Sequence, residues 1–186
     1  MIYFTSDLHL FHANILRFCN RPFADVEDMN KTLINNIKNT LQPNDSLYFL
    51  GDIGFNHGCI KTVFKDILYG YDIKFILGGH DRQMTDLIET YFENEGPVCE
   101  RTFQYQGKDY PITMSHYPMV TFNKSHYGSW NLYGHHHSKH QDDIINKMCP
   151  GKRMNVGVDL NNFMPVSLAM VVEHMKLMPD NWDILK

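Results

Sequence analysis

Three short apolar runs, at residues 2–5, 46–50 and 73–77, each stop at a cluster of Gly, Asp, Asn or His and are each followed by a segment with helical spacing. Val26, Met29, Leu33, Ile34, Ile37 and Leu41 share one helical face behind Asp25, an expected N-cap. Ile60, Val63, Phe64, Ile67 and Leu68 form a second such face, and Met84, Leu87, Ile88, Tyr91 and Phe92 a third. This β-α-β-α-β-α alternation constrains the fold more than any other feature, because parallel strands need long crossovers and helices then cover the sheet. It predicts a largely parallel sheet with helices on its faces.

From Pro97 the texture changes. Residues 98–106 and 110–115, around a turn at Gly107-Lys108-Asp109, read as a hairpin, and residues 130–133 as a further strand. A last hairpin-like region is expected over 153–160 and 166–172, turning at Asn161-Asn162. No linker or low-complexity stretch interrupts the 186 residues, so one domain spanning 1–186 is expected. The formal charge of -4 offers phosphate backbones no general attraction, which disfavours nucleic acid as a partner without closing the question. No apolar run reaches the roughly 18 residues of a membrane span, and residues 1–7 meet a carboxylate too soon for a signal peptide. A cytoplasmic protein with no membrane partner is expected; oligomeric state is not legible. Cys19, Cys59, Cys99 and Cys149 form no C-x-x-C pair, so they support neither a zinc ribbon nor a dithiol motif.

The chemistry gathers where the strands stop. Histidine is in surplus, eleven in 186 residues. Asp7 and His9 follow the first run, Asp52 the second, His80 the third, His116 the hairpin, and His135 and His137 the strand at 130–133. In open α/β sheets ligands bind outside the carboxyl ends of the strands, so these segments can meet around one crevice. Asp-x-His and His-x-His set both side chains on one side of an extended backbone. Carboxylates mixed with imidazoles suit Mn, Fe, Co, Ni or Zn better than Ca. Six candidate ligands exceed one tetrahedral ion, whereas two ions about 3.5–4 Å apart, sharing a carboxylate, would clamp a phosphate and generate a hydroxide nucleophile.

Asp7-x-His9, Gly51-Asp52-Ile53-Gly54, Gly78-Gly79-His80-Asp81, His116 and Gly134-His135-His136-His137 resemble, in order, the five blocks of the calcineurin-like metallophosphoesterases. His12-Ala13-Asn14-Ile15, Arg21-Pro22-Phe23, Val156-Gly157-Val158-Asp159 and Pro165-Val166-Ser167 resemble the small bacterial and phage members. The resemblance implies a four-layer β-sandwich flanked by helices, within a mixed α/β (α+β) class. It implies one divalent ion on Asp7, His9, Asp52 and His137, and a second on Asp52, His116 and His135. Manganese is the first expectation, with iron, nickel, cobalt or zinc as alternatives. His80 corresponds to the histidine beside the leaving group, acting as general acid or charge stabiliser with Asp81 orienting it. The chain departs from the pattern at Gly79, where the family has an asparagine that ligates the second ion.

His12, at the start of a short helix, and Asn14 are candidate substrate-phosphate binders, with a structural role for His12 as the alternative. Phe11, Tyr117, Phe122 and Trp130 read first as packing and second as a base-binding wall. His57, His126, His136, His140 and His174 are assigned no role. The expected function is metal-dependent hydrolysis of a small, nucleotide-like phosphodiester or phosphomonoester. The alternative is a metal-binding pseudoenzyme or weakened hydrolase whose second metal site is incomplete at Gly79.

Overall fold

The computed structural model describes residues 1–68 and 70–185, without the side chains at 66 and 67, so the core position expected of Ile67 lies outside the described residues. β1 (Ile2–Thr5) leads through α1 (Ala13–Phe18) and α2 (Val26–Thr40) to β2 (Ser46–Phe49). α3 (His57–Val63) and a π-helical turn at Phe64–Leu68 return the chain to β3 (Asp72–Phe75), and α4 (Thr85–Tyr91) to β4 (Glu93–Asn94). The second half runs β5 (Val98–Tyr105), β6 (Lys108–Ser115), β7 (Trp130–Tyr133), α5 (Lys139–Met148), β8 (Arg153–Asn155), β9 (Val166–Ser167) and α6 (Leu168–Leu177). The class is mixed α/β.

Two sheets form, ordered β4-β3-β2-β1-β9 and β5-β6-β7-β8. In the first, β1 to β4 are parallel, as the alternation predicts, and β9 closes the edge antiparallel to β1. Side chains alternate across it. Tyr3, Leu47, Phe49, Ile73 and Phe75 meet the helices through Leu33, Ile37, Ile60 and Ile88. Phe4, Tyr48, Leu50 and Ile76 meet Phe103, Ile112, Met114 and Leu132 of the other sheet, with Phe4 edge-on to Phe103 at 5.6 Å. Being filled on both faces, these strands read as unbroken apolar runs. Register then aligns their ends: Thr5, Phe49 and Phe75 lie side by side, so the loops after β1, β2 and β3 leave the same edge.

The structure corrects two expectations and adds one helix. No hairpin joins 153–160 to 166–172, because β8 and β9 belong to different sheets and most of the second segment is helix. Ser167 Oγ accepts the Met170 N–H at 3.2 Å and caps α6, whose Leu168, Val171, Val172 and Met175 bury one stripe; the β-branched pair mimics a strand in sequence. The β5–β6 turn sits one residue earlier, on Gln106 and Gly107 at φ +49° and +74°, the left-handed pair that a two-residue hairpin requires. α5 was not anticipated, since none of its side chains is buried and it carries no core-facing stripe. No described helix is long and apolar enough to cross a membrane.

Candidate metal centre

The strand-end loops are laced together before any side chain is considered. Asp7 N–H donates to the Gly51 carbonyl at 3.0 Å and His9 N–H to that of Asp52 at 3.1 Å, tying the β1 loop to the β2 loop. Gly134 N–H donates to the His116 carbonyl at 2.9 Å, tying β7 to β6, and His135 N–H donates to Asp7 Oδ2 at 2.9 Å, joining the two sheets. Asp7, His9, Asp52 and His135 all hold left-handed backbone, at φ +61°, +49°, +58° and +70°. Such conformations are costly for residues with a Cβ and persist only where surroundings enforce them. Space is equally tight: a Cβ on Gly78 would overlap the Asp52 carboxylate, and one on Gly134 the side chains of Ser6 and Asp7.

Six of the expected residues, Asp7, His9, Asp52, His80, His116 and His137, converge. The ligand atoms of Asp7, His9 and His137 lie within 4.8 Å of one another, as do those of Asp7, Asp52 and His116, and of His9, Asp52 and His80. His116 Nε2 is 3.3 Å from Asp52 Oδ2, and His9 Nε2 is 3.7 Å from the same oxygen. His137 Nε2 is 3.7 Å and His9 Nε2 3.9 Å from Asp7 Oδ1. Two atoms each about 2.1 Å from one ion stand about 3–3.5 Å apart, so most of these gaps are somewhat wider than a cation-bound pair. The donor chemistry fits a cation. Asp7 Oδ1, His9 Nε2 and His116 Nε2 are buried with no hydrogen-bond partner, a costly state for polar atoms unless something else satisfies them.

The tautomers are set from behind. His116 Nδ1 lies 2.8 Å from the Leu50 carbonyl, which only accepts, so Nδ1 carries the proton there and Nε2 faces Asp52. His137 Nδ1 meets Asp159 Oδ2 at 2.7 Å, and Asp159 in turn takes Arg21 Nε and Nη2 at 2.8 and 2.7 Å. The same guanidinium donates to the carbonyls of Leu8 and Asp7 at 2.8 and 2.7 Å. Arg21, as a single charge in the sequence a candidate for phosphate or for an ion pair, is ion-paired; its partner Asp159, 138 residues away, leaves no local signal of the pairing.

Burial governs the titration of the cluster. It drives the His9 imidazole down to about 3, against the pull of Asp52. It opposes protonation of His116 too, but the nearby Asp52 and Asp7 carboxylates overcome it and raise that ring to about 9. Asp52 is the reciprocal case: burial raises it, His116 outweighs burial, and the carboxyl ends well below its usual range. Asp7 is raised, mainly by burial. Burial outweighs the opposing Coulombic pull of Arg21 and pushes the Cys19 thiol, which neighbours His137 and Asp159, up to about 11, so it is no thiolate ligand in the metal-free protein near neutral pH.

The remaining expected residues divide. His80 is half-exposed at the rim, with Nε2 3.9 Å from Asp52 Oδ2 and its N–H 3.0 Å from Asp52 Oδ1. Asp81 does not orient it among the described residues: its carboxylate accepts the N–H groups of Asp52, Ile53 and Gly78 at 2.7, 3.1 and 2.8 Å, clasping the β2 and β3 loops. His135 stays exposed at the edge, its ring 5.3 Å from that of His116 and outside the tight groups. His12 packs on Phe55 at 4.4 Å and on His9 at 5.7 Å, which sets it beside the cluster, with burial lowering its basicity. Asn14 is exposed on α1 and makes no hydrogen bond to the cluster among the described residues.

The chain is 37% identical over 174 residues to "Uncharacterized protein MJ1445" of Methanocaldococcus jannaschii, an alignment covering 92% of this chain and 89% of that protein. The crystal structure of the protein of unknown function AQ665 from Aquifex aeolicus shares the fold, with a TM-score of 0.68 at 22% identity over 94% of this chain and 98% of the other. No protein-family model matches.

Proposed function

We propose that this chain, which belongs to the same family as MJ1445 of Methanocaldococcus jannaschii, is a metal-dependent phosphoester hydrolase acting on a small phosphodiester or phosphomonoester in the cytoplasm. One observation carries the reading: buried, unpartnered ligand atoms of Asp7, His9 and His116 gather around the Asp52 carboxylate from loops of both sheets. Asp7, His9 and His137, with Asp52, would hold one cation; Asp52 and His116, with His135 closing in from the rim, would hold another. Divalent ions there, manganese first and iron, nickel, cobalt or zinc after it, supply Lewis acidity toward a phosphoryl oxygen and lower the pKa of water.

The protein does the rest. Its loops exclude water from the ligand side, while the cluster remains open at His80. His80, held by its own N–H on Asp52, presents an imidazole proton to a departing alkoxide oxygen. The net charge of -4 favours a small ester over long nucleic acid.

Release of nitrophenol from bis(p-nitrophenyl) phosphate and from p-nitrophenyl phosphate with added Mn or Ni tests the reading. Turnover is expected with at least one ester, falling about 10²–10⁴-fold in His80→Ala with metal content unchanged. Metal bound without turnover under any divalent ion would instead establish the second reading, a metal-binding pseudoenzyme, which the bare Gly79 favours.

A further inference from the structure

Gly79 has no backbone reason to be glycine. Its φ lies outside the left-handed region. The atoms within 4 Å of a Cβ built there belong to Tyr117 alone, its hydroxyl at 2.8 Å and Cζ at 4.0 Å. Glycine at this position is the notch that admits a phenol. Tyr117 comes from the loop after β6, where Ser115 Oγ donates to its carbonyl at 2.8 Å and steadies the turn. Its ring stands edge-on to His116 at 4.8 Å and to His135 at 4.6 Å, and its hydroxyl reaches Gly79, so the side chain spans the β3, β6 and β7 loops at the mouth of the cluster.

The surroundings select for an anion. Tyr117 is 48% exposed, and its hydroxyl makes no hydrogen bond among the described residues. Cavities of about 350 and 410 Å³ flank the Gly79–Tyr117 contact, one lined by Gly79, His80 and His57, the other by Tyr117, and Arg82 lines both. No Asp or Glu lines either. A phenol O–H is a hydrogen-bond donor, and Arg82 on the wall of the same cavity offers a cation, a pairing that suits a phosphoryl oxygen.

We propose that Tyr117 is a substrate-binding residue whose hydroxyl, seated in the notch left by Gly79, donates a hydrogen bond to a non-bridging oxygen of the phosphate ester. The proposal rests on the phosphoester reading above and deepens it.

Calorimetric titration of inorganic phosphate into manganese-loaded protein tests it, with bound manganese counted in parallel and KM and kcat measured separately. Tyr117→Phe is expected to weaken phosphate about tenfold, the loss of one hydrogen bond to a charged group, and to raise KM with manganese stoichiometry unchanged. Gly79→Ala displaces the hydroxyl through a flexible side chain, so it should weaken phosphate by a similar factor. The double variant should then be no weaker than either single one, because both remove the same contact. Phosphate bound by Tyr117→Phe as tightly as by the wild type, or losses that multiply in the double variant, would overturn the proposal while the metal reading stands. Wild-type protein that binds neither manganese nor phosphate would overturn both.

Discussion

Asp159 Oδ2 lies 2.7 Å from His137 Nδ1 and 2.7 Å from Arg21 Nη2, so one carboxylate oxygen aims a candidate ligand and neutralises a fully buried guanidinium. The His137 and Arg21 hydrogen bonds overcome the cost of burial and keep Asp159 ionised below its usual range. Asp159→Asn keeps the shape and removes the charge. Partners behind a ligand typically contribute about 10–100-fold in metal affinity, and a loss of that size is expected by manganese titration. Asp159→Ala should in addition destabilise the fold by about 3–5 kcal/mol in urea unfolding, because it strands Arg21.

The glycines of the site separate by what a methyl would meet. At Gly78 it would overlap Asp52, which is fixed by three loops, and Gly78→Ala should cost at least about 1–3 kcal/mol and lower metal content together. Gly58, in the first turn of α3, would meet only Asn56 Oδ1, at 3.7 Å. Gly58→Ala should therefore raise stability, by about 0.5 kcal/mol, with metal binding intact. Thermal melts and metal analysis of the two variants read both effects.

What the chain disclosed from its letters follows from how local each signal is. Residues 46–50 and 73–77 announced buried parallel strands because both faces of their sheet are covered, and each ligand cluster announced itself by following a strand directly. The six convergent residues are short-range motifs. What supports them is not: Asp159 reaches Arg21 across 138 residues, and Tyr117 reaches Gly79 across two loops. Asp81 shows the same limit from the other side. Its neighbour His80 suggested a partner, whereas the backbone N–H groups of the β2 loop claim it. The spatial order of the last strand was hidden for a related reason, since two residues of β9 pair with β1 at the far end of the chain.

Filling the centre should stabilise the protein by mass action. At a manganese concentration a hundred times the dissociation constant, one site contributes about 2.7 kcal/mol. For a chain of this size that corresponds to a rise in Tm of about 5–10 °C over protein treated with chelator, measured by calorimetry. His9→Ala should abolish most of the increment, because its imidazole belongs to the tight group with Asp7 and His137 that would hold the first ion. An unchanged Tm on adding manganese to chelator-treated wild type would show that nothing binds there.

The metal-free protein should have its own pH dependence, in which two histidines pull in opposite directions. His9 titrates at about 3 when folded, against 6.5 in the unfolded chain, so unfolding takes up a proton between those values and stability rises with pH across that window. His116 is held at about 9, so its contribution is fully present below 6.5 and is lost as pH rises toward 9. The raised Asp7 carboxyl opposes the His9 limb on the acid side, so the feature expected of the chelator-treated protein is the fall in stability above pH 6.5. Manganese should remove the upper limb, because a cation on His116 Nε2 would take the place of the proton that the nearby Asp52 charge otherwise favours there. Tm measured from pH 4 to 9.5 with chelator and with manganese reads that limb, and a metal-free Tm that climbs steadily to pH 9 would contradict the assignment of His116.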